Sequence, residues 1–159
     1  MSTTGSPPAM AIDVTAAHTC KIHTSQGDFT LALDAAAAPV TVNNFVHLAN
    51  RHFYDGLIFH RVEPGFVIQG GDPQGDGRGG PDYRLPDETN PASWERGSVG
   101  MASSSAGVNG SQFFVVLADA PHLSRSGAYN HFGLVTQGQE VVDKIRVGDV
   151  IQSIDVVVS

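Results

Sequence analysis

Cysteine is nearly missing from this chain. Of 159 residues only Cys20 is one, so no intramolecular disulfide can form and a single copy cannot build a cysteine-based zinc site. Basic residues are also few. Lys and Arg number 9 against 16 Asp and Glu, a formal charge of −7, and the nine are scattered from Lys21 to Arg146 without forming a patch. Nucleic-acid backbones are gripped by Lys and Arg, so a chain of this balance is not read as a nucleic-acid binder. No apolar run approaches the roughly 18 to 20 residues of a membrane-spanning helix, so no membrane segment is expected. The first residues have neither a basic opening nor an apolar core, so they are not read as a secretory signal, and a cytoplasmic protein is expected.

What remains is enough for one domain with a real core. Residues 1–17 are small, polar and proline-containing and read as a flexible N-terminal arm; residues 18–159 read as the domain. His18–Thr24 and Phe29–Leu33 are rich in strand formers and flank a turn-like segment, Ser25–Asp28. Pro39 suits the first turn of a helix whose Val42, Phe45, Val46, Ala49 and Phe53 share one face. Further strands are expected at Leu57–Val62, Gly65–Gln69, Ser98–Ala102, Gln112–Leu117, Phe132–Thr136 and Val150–Val158, with a short helix over Gln139–Arg146. Gly70–Gly97 reads as a long loop, Ser103–Ser111 as a small-residue loop, and Pro121–Leu123 as part of another. About eight short strands and two helices without βαβ alternation disfavour a doubly wound sheet. The expected fold is mainly β: a closed, eight-stranded, mostly antiparallel barrel capped by two α-helices.

Familiar catalytic devices fail one by one. Gly75–Gly80 is glycine-rich, but extended Pro81–Pro86 follows it where a dinucleotide loop needs a helix N-terminus. The seven histidines lack the spacing of a helical metal pair, and Asp72 and Asp76 lack the ligand ladder of a calcium loop. Ser103–Ser105 has no nucleophile elbow around it. Cys20 alternates with Ile22 and reads as a buried structural thiol. No cofactor and no metal are expected.

The informative stretch is Phe59-His-Arg-Val-Glu-Pro-Gly-Phe-Val-Ile-Gln-Gly-Gly-Asp72, with Ser111-Gln-Phe-Phe114 further on. Arg61 is a lone guanidinium amid Phe, Val and Ile. From position alone it is a surface arginine, one tied to a carboxylate such as Glu63, or a functional cation. Phe66 and Gln69 do not alternate to one strand face, so a bend or bulge is needed to bring both to one site. Phe113 and Phe114 adjoin on a strand and must point opposite ways.

These segments resemble the cyclophilin-type peptidyl-prolyl isomerases. Phe59–Asp72 resembles the family signature, Asn109–Phe114 its second hallmark, and Phe132-Gly133 with Val141–Ile145 its C-terminal part. The likeness runs from about Cys20 to Val158 and has the look of a compact bacterial-type member. It implies an isomerase that speeds rotation about Xaa-Pro bonds in protein substrates and assists folding. It also implies Arg61 as the cation that stabilises the twisted amide, with Gln69 orienting it. Phe66, Met101, Phe114 and Leu123 would form the prolyl pocket, the backbone around Ala102 and Ser103 would pair with substrate, and Gln112 would line a neighbouring sub-pocket.

Some positions depart from the common family pattern. Val67 stands where Met is frequent, and Ser103 where Asn is. His122 stands where many members carry the Trp that contacts cyclosporin, so a cyclosporin-type ligand would be held weakly. Tyr129 aligns with a family His, with His131 its rival. The implied partners are proline-containing polypeptides, and a monomer is expected. The alternatives are a proline-peptide binding module, or a chaperone, with little turnover.

Overall fold

The computed structural model describes residues 5–126 and 129–159; residues 1–4 of the expected arm and residues 127–128 lie outside them. The first strands, β1 (His18–Thr24) and β2 (Gly27–Leu33), form a hairpin in full register from His18↔Leu33 to Thr24↔Gly27. Phe29, Leu31 and Leu33 are buried while Asp28 and Ala32 face out, the two-residue period of a half-buried strand. Cys20 is fully buried in β1, and burial pushes its thiol up to about 12, which makes it inert packing.

Helix α1 (Pro39–Asn50) begins with proline at its first turn, and its N-cap, Ala38, offers no side-chain oxygen. The orphan donors of that turn are met from far away in sequence. Glu88 accepts from Val40 N at 3.0 Å, Thr41 N at 2.7 Å and Thr41 Oγ1 at 2.6 Å. Val42, Phe45, Val46 and Ala49 are buried as the helical period requires. Phe45 then meets Tyr54, Phe113 and Phe132 at ring separations of 5.1, 5.6 and 5.3 Å, the centre of the main core.

The other strands are β3 (Phe59–Glu63), β4 (Val67–Gly70), two-residue β5 (Arg84–Leu85), β6 (Ser98–Ser104), β7 (Gly107–Val116), β8 (His131–Gln137) and β9 (Ile151–Val158). Their order is β3-β4-β7-β6-β8-β2-β1-β9, all antiparallel, with β5 added to β7. The expected closed barrel is corrected to a curled, open half-barrel. Its edges, β3 and β9, meet only at their first residues: just before them lies one isolated bridge, Ile58↔Val150, flanked by backbone hydrogen bonds from Phe59 N to Asp149 O at 2.9 Å and from Ile151 N to Leu57 O at 2.7 Å. In this antiparallel pairing β3 and β9 extend to opposite sides of the bridge, so the two strands do not pair along their length.

Two further corrections concern short elements. The small-residue stretch expected as a loop is strand on both sides of a two-residue turn, Ser105-Ala106, with Ser104 paired to Gly107. Pro121–Ser126 is a third helix, α2, and α3 covers only Gln139–Val142. Residues 5–17 carry no strand or helix; residues 8–12 of them lie against α1, where Asn43 Oδ1 accepts from Ala11 N and Ile12 N and its Nδ2 donates to Pro8 O and Ala9 O. Among the described residues no helix is long and apolar enough to cross a membrane.

Candidate active site

Strands β4 and β7 have two apolar faces. Ile68, Phe113 and Val115 enter the main core, while Val67, Phe114 and Val116 point to the other side. There they form a second cluster with Trp94, Ala120 and Leu123, against which Phe66 and Tyr129 pack. The strict alternation through Phe113-Phe114 thus places one ring in each cluster, as the sequence requires.

Register brings the polar groups to this second face. Arg61 pairs with Gln69 across β3 and β4, and Gln69 pairs with Phe114 across β4 and β7. A bulge between Phe59 and Arg61, with His60 as the extra residue, resets β3. Phe66 needs no bulge of its own, because it lies in the turn before β4 while Val67 and Gln69 alternate to the same side.

A cavity of about 200 Å³ opens at this row. Phe66, Val67, Phe114, Leu123 and Tyr129 supply apolar wall, and Arg61, Gln69, Ala102 and Ser103 supply the polar mouth. A roomier groove of about 740 Å³ runs from the β3–β4 turn to Asp143–Arg146, but there Arg96 and Asp143 are spent on each other at 2.6 Å.

The guanidinium of Arg61 is held from two directions. It donates from Nη1 to Gln69 Oε1 at 3.2 Å and from Nη2 to Glu63 Oε2 at 2.6 Å. Both ion-pair partners are about half exposed, 47% and 50%, so this pair adds at most about 1 kcal/mol of stability. Its effect is orientation. Arginine has five N–H donors, and these contacts use two of them.

Behind Arg61 runs a directed chain of amides. Gln69 Nε2 donates to Gln112 Oε1 at 3.0 Å, and Gln112 Nε2 donates to Gly79 O at 2.8 Å. A carbonyl can only accept, so Gly79 fixes which way both amides face. Gln69 is thereby made to turn its oxygen toward Arg61. The loop carrying Gly79 is wound around Asp72, whose carboxylate accepts from Gln74 N, Asp76 N and Gly77 N at 2.8, 3.0 and 2.6 Å. Burial raises the pKa of Asp72, but these backbone donors outweigh it and leave the carboxyl below its ordinary value. Burial is also the main cause that lowers His60 and His131.

Most residues singled out from sequence meet at this cavity, and three do not line it. Met101 is fully buried in the main core, a correction to its expected place in the pocket. It stands opposite Phe113 in the β6–β7 register, and the alternation that turns Val99 inward and sets Gly100 against Phe114 turns Met101 inward again. Gln112 lies one layer behind the wall, against Gln69. His122 is exposed on α2 with its ring 5.3 Å from Phe66, at the rim. Of the two rivals, Tyr129 lines the cavity with its edge to Phe114 at 5.5 Å, while His131 packs behind it on Trp94 at 4.6 Å. Sequence reasoning passed over Trp94. Its one signal was being the sole tryptophan, set in a polar loop.

Comparison with known proteins gives the family. The family described as cyclophilin type peptidyl-prolyl cis-trans isomerase/CLD matches residues 19–158. A peptidyl-prolyl cis-trans isomerase of Helicobacter pylori strain J99 is 47% identical over 137 residues, covering 84% of this chain and 83% of the relative. Peptidyl-prolyl cis-trans isomerase B of Bacillus subtilis is 50% identical over 122 residues, covering 76% and 84%. A crystal structure of a cyclophilin type peptidyl-prolyl cis-trans isomerase from Cryptosporidium parvum superposes with a TM-score of 0.82 at 31% identity, covering 89% of this chain and 98% of that one. A second structure of that protein, in the presence of the dipeptide Ala-Pro, gives 0.78 at 33% identity, covering 86% and 96%. With its signature residues gathered at one cavity and a match along nearly its whole length, the chain belongs to the cyclophilin-type peptidyl-prolyl cis-trans isomerases.

Proposed function

We propose that the 200 Å³ cavity seats the prolyl ring of an Xaa-Pro segment and that Arg61 donates to the proline nitrogen as the amide twists. The observation that carries this reading is the cross-strand row Arg61–Gln69–Phe114, which sets an oriented cation beside an apolar ring seat. Rotation about the peptide bond must overcome a resonance barrier of about 18–20 kcal/mol. In the twisted state the nitrogen lone pair is no longer delocalised and accepts a hydrogen bond that the planar amide cannot. A donor aimed there therefore favours the transition state over both ground states. For scale, an acceleration of about 10⁵ requires roughly 7 kcal/mol of such preference. A fixed guanidinium in a partly desolvated cleft supplies several of these.

Phe66, Phe114 and Leu123 hold the ring while the preceding carbonyl swings. The polypeptide on either side has an edge to lie on. β6 pairs with β8 only over Ser98–Gly100, so Ala102 to Ser104 have a strand partner on the β7 side alone. An extended client can add there by backbone hydrogen bonds. His122, rather than an indole, stands against Phe66, which supports weak holding of cyclosporin-type ligands. A module that binds proline peptides with little turnover is not favoured, because Arg61 and Gln69 both reach the cavity.

The test is NMR exchange of a short Ala-Pro peptide with a trace of protein. Arg61→Ala is expected to slow the catalysed exchange at least about tenfold, a loss of about 1.4 kcal/mol. Its urea midpoint should stay near that of the wild type, since the side chain is half exposed. Exchange as fast as wild type in a folded Arg61→Ala protein overturns the mechanism.

A further inference from the structure

Trp94 does not line the cavity, and it is 5% exposed behind it. It arrives from a segment without strand or helix, yet its place is fixed. Its carbonyl accepts from Ala120 N at 2.8 Å, Glu95 N donates to Ser98 Oγ at 2.9 Å, and Arg96 N donates to Asp119 Oδ1 at 2.9 Å. The indole stacks on Phe114 with ring centres 5.4 Å apart and planes 23° from parallel. Tyr129 sets its edge against both rings, 6.3 Å from Trp94 and 5.5 Å from Phe114.

Gly100 makes this stack possible. It stands opposite Phe114 in the β6–β7 register. A Cβ there would run into Trp94 Cη2 and come to 2.9 Å from Phe114 Cζ, so any side chain must push the two rings. With the indole in place, the back face of Phe114 is filled. Without it, that face has no partner and the ring is free to fall away from the cavity.

We propose that Trp94 is a positioning residue: acting through Phe114 and Tyr129, its indole fixes the ring surface on which the substrate proline packs, and occupancy of the cavity is felt at the indole in return. This rests on the reading of the cavity as the prolyl seat. It makes ring anchoring, rather than the electrostatic step at Arg61, the quantity that Trp94 controls. Its signature is therefore a change in KM with kcat nearly kept.

The chain has one tryptophan, so its fluorescence reports this position alone. Titration of the wild type with an Ala-Pro peptide should change that fluorescence saturably, with the same midpoint as the peptide-induced NMR shifts. Gly100→Ala removes no side chain and is expected to raise KM about fivefold with kcat within about twofold. Trp94→Phe keeps a ring on Phe114 and should hold KM within about twofold of wild type, whereas Trp94→Ala, if it folds, should exceed the effect of Gly100→Ala. Either flat fluorescence in a protein that binds and turns over the peptide, or an unchanged KM in Gly100→Ala, overturns the role of Trp94 and leaves the prolyl seat standing. Absence of any peptide binding overturns both.

Discussion

Replacing Gln112 by Met tests how far Arg61 depends on groups that never meet the cavity. Gln112 is 2% exposed, and Met is similarly long and unbranched, so the volume is nearly kept. The substitution deletes two hydrogen bonds, the one from Gln69 at 3.0 Å and the one to Gly79 O at 2.8 Å. Gly79 O keeps Asn109 Nδ2 at 3.1 Å, so the loss falls mainly on the amide of Gln69. An unpaired buried polar group costs about 1–3 kcal/mol, and Gln69 is only half-buried, so about 1–2 kcal/mol of stability should go. That appears as a lower urea midpoint with an unchanged slope. The freed amide can also turn, and Arg61 then loses its oxygen partner while keeping Glu63. Peptide exchange should fall about tenfold, or about 1.4 kcal/mol. The decisive measurement repeats the substitution in Arg61→Ala. If Gln112 acts on the reaction only through Gln69 and Arg61, the second loss is nearly absent, a coupling of about 1 kcal/mol. Equal losses in both backgrounds would refute the amide chain as the means of aiming Arg61.

Three other outcomes follow from the same structure. His23 bridges Asp155 at 2.8 Å and Asp28 at 2.9 Å, and chiefly the Asp155 bond, against some burial, raises its pKa above the ordinary 6.5. The stabilisation is full below the unfolded value and fades as pH rises through the folded one. The urea midpoints of wild type and Asp155→Asn should thus differ most near about pH 6 and converge by about pH 9. Glu88→Ala uncaps α1 and should lower stability by about 1–2 kcal/mol, with Glu88→Gln recovering part of it. Cys20 should react with a disulfide reagent only as fast as the protein unfolds, and rapid labelling of the native state would contradict its burial.

Where side-chain period and local chemistry agreed, the sequence was readable. Pro39 with Val42, Phe45, Val46 and Ala49 announced α1, and the alternation through Phe29, Leu31 and Leu33 announced β2. Arg61, Phe66, Gln69 and Phe114 were legible as a site through resemblance, and register then explains why they meet. What escaped was non-local or aperiodic. Ser103–Ser111 looks like loop because its residues are small, yet it is pinned between β6, β7 and β5. The six residues of α2 are too few to display a helical period. Closure of the barrel depends on how two distant edges meet, which no stretch of sequence records. Trp94 reaches the site from a loop, and the gap it fills is the missing side chain of Gly100.

The two-faced strands β4 and β7 have a consequence for how this enzyme tolerates change. Neighbouring positions along them answer to different demands: Ile68 and Phe113 to the packing that holds the half-barrel, Val67 and Phe114 to the shape of the cavity. A substitution at a cavity-facing step of either strand can retune substrate preference while the core-facing step beside it is untouched. Val67, standing where the family often has Met, is such a position: the wall of the cavity has been redrawn and the main core has not been asked to move.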